Sequence, residues 1–167
     1  MENLHDLIRN IFGNPIAYAI LKGSTLAPNI KGIVYFFPKD NGTVVVAEFV
    51  GLPTHVLAED GEQPIGPFGF HIHEGKTCGE FVGEKAFEAA GSHYNPTNLS
   101  HPNHVGDLPV IFSNDGYAWI AAYTNRFKPY DVIGYTIVLH QSPDDFRTQP
   151  SGNSGFRIAC GVIEKAK

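Results

Sequence analysis

The sequence predicts an all-β protein, with eight short strands arranged as a closed barrel or a sandwich. Three observations predict this class: short apolar runs rich in Val, Ile, Tyr and Phe, turn residues between them, and almost no helical periodicity. The 167 residues suit one domain with its own core. Hydrophobic residues make up 43% of the chain and charged residues 17%, which is typical of folded rather than disordered proteins.

The predicted strands cover residues 15–21, 32–38, 43–51, 66–73, 108–112, 117–123, 132–140 and 156–164. Two of the connections read as hairpin turns, KDNG at 39–42 and SNDG at 113–116. Asn-Gly between apolar runs favours a hairpin because both central positions of such a turn prefer positive φ. Two long stretches, 74–107 and 141–155, break this rhythm. Because long irregular segments in compact domains are usually functional, we expect two functional loops.

Residues 1–14 read as a short N-terminal extension, followed by a domain at 15–167. Leu4, Leu7, Ile8 and Ile11 share one helical face, so the extension is either a short amphipathic helix or a partly ordered tail. The first residues lack the apolar run of a secretory signal, so we expect a cytoplasmic or otherwise intracellular location unless a leader was removed. No segment is apolar enough to predict membrane spanning, and the net charge of −5 predicts no nucleic-acid partner.

The pair His71-Ile72-His73 lies on a predicted strand. Residues i and i+2 of a strand point to the same side, so the two imidazoles converge and Ile72 faces the other way. Alone, His-x-His is a weak indication of metal binding.

The first long loop contains His93, His101, His104 and Asp107 within fifteen positions. Three imidazoles and one carboxylate suit a tetrahedral zinc site in which the protein fills all four positions, so the site is structural. A solvated histidine-rich loop is the alternative interpretation of this segment.

His140 ends the predicted strand 132–140. With His71, His73 and His93 it makes four imidazoles, a ligand set that suits copper(II). Taken alone, His140 is more commonly a histidine with a local hydrogen bond at a strand end.

Four motifs in this order resemble the copper/zinc superoxide dismutase family: GFHIHE at 69–74, GSHYNP at 91–96, HVGDLP at 104–109 and GFRIACGVI at 155–163. The resemblance runs from about Ile16 to the C-terminus. It implies an all-β, eight-stranded Greek-key β-barrel or sandwich that converts superoxide to dioxygen and hydrogen peroxide. It implies one copper and one zinc ion per chain as cofactors, and leaves open a homodimer and a copper-loading chaperone as partners.

The resemblance also assigns a role to individual residues. The implied copper ligands are His71, His73, His93 and His140, and the implied zinc ligands are His93, His101, His104 and Asp107. His93 bridges the two ions and takes part in catalysis, Arg157 sits beside copper and attracts the anionic substrate, and Asp144 links His71 to His101. Cys78 and Cys160 form the family's disulfide, although two cysteines in a cytosolic protein more often indicate two buried thiols.

The departures from the family pattern lie in the loops. The segment from Cys78 to His93 is longer than in the cytosolic animal form, and 144–156 is shorter and more like bacterial members. The resemblance therefore assigns no further charges that assist Arg157, and Lys128 and Arg147 are the weaker candidates for that role. Two other functions are alternatives to a dismutase. One is a non-catalytic module that binds copper and zinc. The other is a structural barrel that binds another protein and uses zinc only to stabilise its own fold.

Overall fold

In a computed structural model, which describes residues 4–59 and 62–167 apart from the side chains of Leu4, His5 and Leu7, the chain is nearly all β. One helix and seven strands form its regular structure: α1 Leu4–Phe12, β1 Ala17–Gly23, β2 Lys31–Lys39, β3 Gly42–Val50, β4 Phe70–His73, β5 Ala118–Thr124, β6 Thr136–His140 and β7 Arg157–Lys165. Two 3₁₀ turns lie at Glu88–Ala90 and Pro129–Val132. No described helix is long and apolar enough to cross a membrane.

The seven strands form one curled antiparallel sheet in the order β4-β6-β7-β1-β2-β3-β5. Strand β3 lies beside β5 and β4 lies beside β6, so the connections cross between the two halves of the sheet. This arrangement is consistent with the predicted Greek-key β-barrel.

The eighth predicted strand, at 108–112, is not a regular strand among the described residues. Ile111 forms a single antiparallel bridge with Phe68, and the Leu108 amide donates to Phe70 O at 3.3 Å. Pro109 lies between these two contacts and has no N–H to donate, which interrupts the ladder. The segment therefore follows the edge beside β4 without forming a full strand.

Two other strands are shorter than predicted. Strand β4 begins at Phe70, because Gly66 has a φ of +63° and Pro67 has no amide donor. Strand β6 begins at Thr136, because a 3₁₀ turn ends at Val132 and Gly134 has a φ of +85°.

Both predicted hairpin turns are present. In the first, Lys39 pairs with Gly42 and the central residues are Asp40 and Asn41. Gly42 therefore belongs to β3, and it is required because a Cβ there would collide with the backbone carbonyl of Thr124.

Within the predicted N-terminal extension, residues Leu4–Phe12 form helix α1, and residues 1–3 lie outside the described residues. Ile8 is buried against Phe37, Val44 and Val46 on the outer face of β2 and β3. Ile11, which shares a helical face with Ile8 in the sequence, is 62% exposed. The side chains of Leu4 and Leu7 lie outside the described residues.

The two faces of β4 have different functions. Phe70 and Ile72 point into the main core, where the Phe70 ring packs edge-on against Phe49 at 5.8 Å. Because side chains alternate along a strand, His71 and His73 point to the outer face, where both are fully buried. The packed inner face therefore fixes the backbone that presents the two imidazoles.

Candidate metal centre

The first long loop runs antiparallel along the edge of β4. Its backbone forms isolated bridges from His93 to His73 and from Asp107 to His71. The amide of Ile72 donates to Gly106 O at 2.9 Å, and its carbonyl accepts from Tyr94 N at 2.8 Å. These contacts hold the loop against the strand, so its ligands are placed by the sheet.

His140 reaches the same place from the neighbouring strand. Strand β6 pairs with β4, and its register against β7 shifts between Leu139 and His140, which sets His140 opposite Arg157. Such bulges redirect a side chain at the edge of a site.

The structure brings the seven predicted ligands together in two adjoining sets. Within each set, one potential ligand atom from every residue lies within 4.8 Å of the others; the sets are His71, His73, His93 and His140, and His93, His101, His104 and Asp107. All seven residues are buried, and His93 belongs to both sets. The rings of His71 and His93 stack with centroids 4.0 Å apart.

The contacts of the ring nitrogens identify which atom of each histidine faces the set. In the first set, His73 and His140 approach each other through Nε2 at 3.2 Å, while their Nδ1 atoms lie 2.9 Å from Gly91 O and 3.5 Å from Gly155 O. In the second, His93 Nδ1 lies 2.8 Å from Asp107 Oδ1 and 3.4 Å from His104 Nδ1.

Asp144 joins the two sets from behind. Its two carboxylate oxygens each lie 2.8 Å from an Nε2 atom, Oδ2 from that of His71 and Oδ1 from that of His101. The Nδ1 atoms of both rings therefore face the sets. Gly152 packs directly against this carboxylate, where any Cβ would collide with it.

Among the described residues, three buried ring nitrogens of the two sets form no hydrogen bond: His71 Nδ1, His93 Nε2 and His101 Nδ1, the last of which lies 3.1 Å from the Asp107 carboxylate without hydrogen-bond geometry. Buried polar atoms nearly always have a partner, so these atoms fit metal ligation better than a packing role. The all-imidazole set suits copper, and the set that includes the Asp107 carboxylate suits zinc. His93 is the one residue with a nitrogen facing each set.

Burial favours the neutral form of His71, His73, His104 and His140, which is the form that ligates a metal ion. It lowers the pKa of His71, His73 and His104, and it lowers the pKa of His140 to about 3. For Asp107, burial raises the pKa, but the hydrogen bond and charge of His93 and the charge of His101 outweigh it, so the pKa is lowered.

These directions predict that the metal-free protein loses stability in acid. Each depressed histidine binds its proton more readily when unfolded, so its contribution is present above about pH 6.5 and is lost as the pH falls toward the folded pKa, about 3 for His140. Each such histidine contributes a slope of at most about 1.4 kcal/mol per pH unit. Urea unfolding of the metal-free protein between pH 8 and 5 measures this slope, and His140→Gln should reduce it. A free energy of unfolding that stays constant or rises toward pH 5 would contradict the prediction.

A cavity of about 700 Å³ opens onto the first set. It is lined by His73, His93, His140 and Arg157, and of the described residues that line it Arg157 is the one cation, with Glu74 the one carboxylate. Lys128 and Arg147, the weaker candidates from the sequence, are not among these lining residues. The positive charge on the cavity wall near the first set therefore comes from Arg157.

Arg157 is held by backbone carbonyls of the first long loop. Its Nη1 donates to Phe87 O at 2.6 Å, and its Nη2 donates to Gly91 O at 2.7 Å. Gly91 O also contacts His73 Nδ1, so one carbonyl connects the arginine to the first set. Burial lowers the pKa of Arg157 from its usual value, but a guanidinium remains a cation at neutral pH.

The predicted disulfide between Cys78 and Cys160 is present. It lies in a small buried cluster with Ala86, Phe87 and Val138 on the outer face of the sheet. The cluster attaches the loop that holds Arg157 to β6 and β7.

Sequence reasoning missed several residues that hold the ligands in place. The side chain of Gln149 bonds to both backbone groups of His101. The His101 amide donates to Gln149 Oε1 at 3.0 Å, and Gln149 Nε2 donates to the His101 carbonyl at 2.7 Å. Arg126 contacts the carbonyls of His104 and Asp107. An isolated glutamine or arginine has no spacing pattern, so the sequence contains no signal that would have found them.

Comparison with known proteins agrees with this geometry. The family model for copper/zinc superoxide dismutase matches residues 30–163. A Cu-Zn superoxide dismutase of Deinococcus radiodurans is 36% identical over 91% of this chain and 86% of its own length. Enzymes with the same name from Legionella pneumophila and Dictyostelium discoideum are 38% and 34% identical, covering 82% and 81% of this chain and 80% and 95% of their own lengths.

Proposed function

The chain belongs to the copper/zinc superoxide dismutase family. We propose that its all-imidazole ligand set binds a redox-active copper ion and that the set with Asp107 binds a structural zinc ion. The protein is a superoxide dismutase, an oxidoreductase with copper and zinc as cofactors. Two superoxide anions and two protons give one dioxygen and one hydrogen peroxide. One superoxide is oxidised and the other is reduced, so charges and atoms balance.

The copper ligands in this proposal are His71, His73, His93 and His140, of which His73, His93 and His140 line the cavity and His71 is buried behind them. When bound, copper supplies the one-electron acceptor and donor that the two halves of the reaction need, which zinc cannot do. The zinc ligands are His93, His101, His104 and Asp107, a complete set of four with no position left for substrate.

The observation that supports this division best is that His93 belongs to both sets. Its Nδ1 lies against Asp107 in the zinc set, and its Nε2 is buried toward the copper set without a partner. The ring is thus held through Nδ1, so Nε2 would hold a proton only while it does not ligate copper, and from that position it could pass the proton to the reduced oxygen species. A positioned general acid of this kind contributes about 100- to 10,000-fold in rate.

Arg157 binds the substrate anion in this proposal. The protein carries a net charge of −5, so superoxide meets repulsion on average and attraction only where a cation faces the cavity. The Arg157 guanidinium lines the cavity with three copper ligands and is held by two backbone carbonyls, which fixes its position beside them.

Asp144 positions both sets. By contacting Nε2 of His71 and Nε2 of His101, the carboxylate orients each ring so that Nδ1 faces its ion.

We extend the proposal to two protein partners, a second copy of the chain and a copper-loading chaperone. The outer face of β5 supports the first, since Trp119 and Tyr123 are 42% and 54% exposed and aromatic side chains are enriched in interfaces. The molar mass in solution tests the dimer. The intracellular location stays a prediction.

The function is tested by metal content and turnover of the purified protein. We expect one copper and one zinc per chain, with consumption of superoxide that is lost on copper removal and regained on copper addition. The matched variant is His140→Ala, which should keep zinc and lose copper and turnover. A fully loaded protein without turnover would instead identify a non-catalytic metal-binding module, and retained turnover in His140→Ala would reject the ligand assignment.

A further inference from the structure

Arg126 lies just after β5 and reaches across to the loop that contains the second ligand set. Its Nη1 donates to three backbone carbonyls, those of Pro102 at 3.0 Å, His104 at 2.9 Å and Asp107 at 3.4 Å. Three carbonyls from a six-residue arc thus converge on one nitrogen. Charge-assisted bonds of this kind are stronger than those between neutral groups.

Two of these carbonyls belong to residues whose side chains are in the zinc set. Arg126 contacts the carbonyl oxygen of Asp107, whereas the Asp107 carboxylate accepts from the amide of His104 at 3.0 Å. The Asp107 amide in turn donates to His104 O at 3.3 Å. The turn from His104 to Asp107 is therefore stabilised in two ways. Hydrogen bonds between these two residues hold it from within, and the Arg126 guanidinium binds its carbonyls from outside.

The backbone that presents Arg126 is itself fixed to the sheet. Phe127, the next residue, is buried in the core, and its carbonyl accepts from Thr43 Oγ1 at 2.9 Å. Thr124 pairs with Thr43 in the ladder between β5 and β3. Although the Arg126 side chain is largely exposed, both ends of the connection are anchored, one in the barrel and one in the ligand loop.

We propose that Arg126 is a positioning residue for zinc, which holds the turn from Pro102 to Asp107 in its ligating conformation. The proposal rests on the zinc assignment above and extends it to a residue that touches no ligand atom. A loop already held in place loses less conformational freedom when the ion binds, so the affinity for zinc is higher.

The effect should be specific to zinc. Arg126 contacts the loop segment of His104 and Asp107, whereas His71, His73 and His140 of the copper set lie on strands β4 and β6. A variant at Arg126 should therefore weaken zinc binding and change copper binding much less.

Two substitutions test this without removing the aliphatic packing of the side chain. Arg126→Met removes all donors, and Arg126→Lys keeps a cation that can contact one or two of the carbonyls. Zinc affinity is measured by competition with a chromophoric chelator, and Co²⁺ placed in the zinc set reports ligand geometry through its visible absorption. We expect Arg126→Met to weaken zinc by about 10- to 100-fold and to broaden the Co²⁺ spectrum. Arg126→Lys should recover part of both.

The control is Arg9→Met, in which the lost charge lies on α1. It should leave zinc affinity and the Co²⁺ spectrum unchanged. The proposal is overturned if Arg126→Met binds zinc as the parent does, or if it weakens both metals equally while lowering the melting temperature of the metal-free protein. Neither result depends on turnover, so a protein that binds both metals without dismutation would refute the function and leave this inference standing.

Discussion

Replacing His93 with alanine is expected to lower the rate of superoxide consumption by about 100-fold or more and to weaken zinc binding at the same time. The reason is that His93 is the one described residue shared by the two ligand sets. Its loss removes a nitrogen from each set and removes the buried Nε2 atom to which we assign the proton transfer. Loss of a ligand at only one ion would not produce this joint effect.

The measurement combines stopped-flow consumption of superoxide with zinc and copper content after dialysis against a chelator. His93→Gln serves as a second variant, because its amide fills part of the space of the ring. The control is His55→Ala, since His55 is exposed and lies outside both sets, where it contacts Ser113 Oγ at 3.2 Å. A His93→Ala protein that folds, keeps both ions and turns over normally would remove His93 from its assigned role.

Replacing Arg157 with alanine is expected to lower the second-order rate constant by about 10-fold or more and to flatten its decrease with salt. A local cation raises the encounter rate with a charged substrate by about 10- to 1000-fold. Ions screen that attraction over about 8–10 Å at 0.1–0.15 M ionic strength, so the parent should slow as salt rises. Without Arg157, no described cation lines the cavity, and the net charge of −5 leaves repulsion only.

Arg157→Lys separates charge from geometry. It keeps the cation, so the salt dependence should persist, but lysine cannot match the fork that reaches Phe87 O and Gly91 O, so the rate should fall part of the way. Rate constants measured from 10 mM to 300 mM salt, with metal content verified for each variant, give the comparison. An unchanged salt dependence in Arg157→Ala would exclude this residue from substrate attraction.

The strand pattern predicts most of the sheet, and its errors have local causes. Short apolar runs rich in Val, Ile, Tyr and Phe, with turn residues between them, identify the seven strands. The same pattern extends over 108–112, where Pro109 interrupts the ladder, and over the first residues of 132–140, where Gly134 turns the backbone. An apolar run shows which residues can be buried, but it does not show whether their backbone amides can form the hydrogen bonds of a sheet. It therefore does not reveal the interruptions at Pro109 and Gly134.

Sequence and tertiary structure each determine a different part of the site. The residue types of the seven candidate ligands are readable in the sequence, because metal ligation requires particular side chains and the strand repeat places His71 and His73 on one side. The role of Arg157 follows instead from the resemblance of its motif to the family. The sharing of His93 by two sets and the link through Asp144, which only the family resemblance implies, join residues tens of positions apart, and so do the contacts of Arg126 and Gln149, which nothing in the sequence indicates. Only the folded chain decides them, since hydrogen bonds depend on distance and direction in space, and neither is encoded in local spacing.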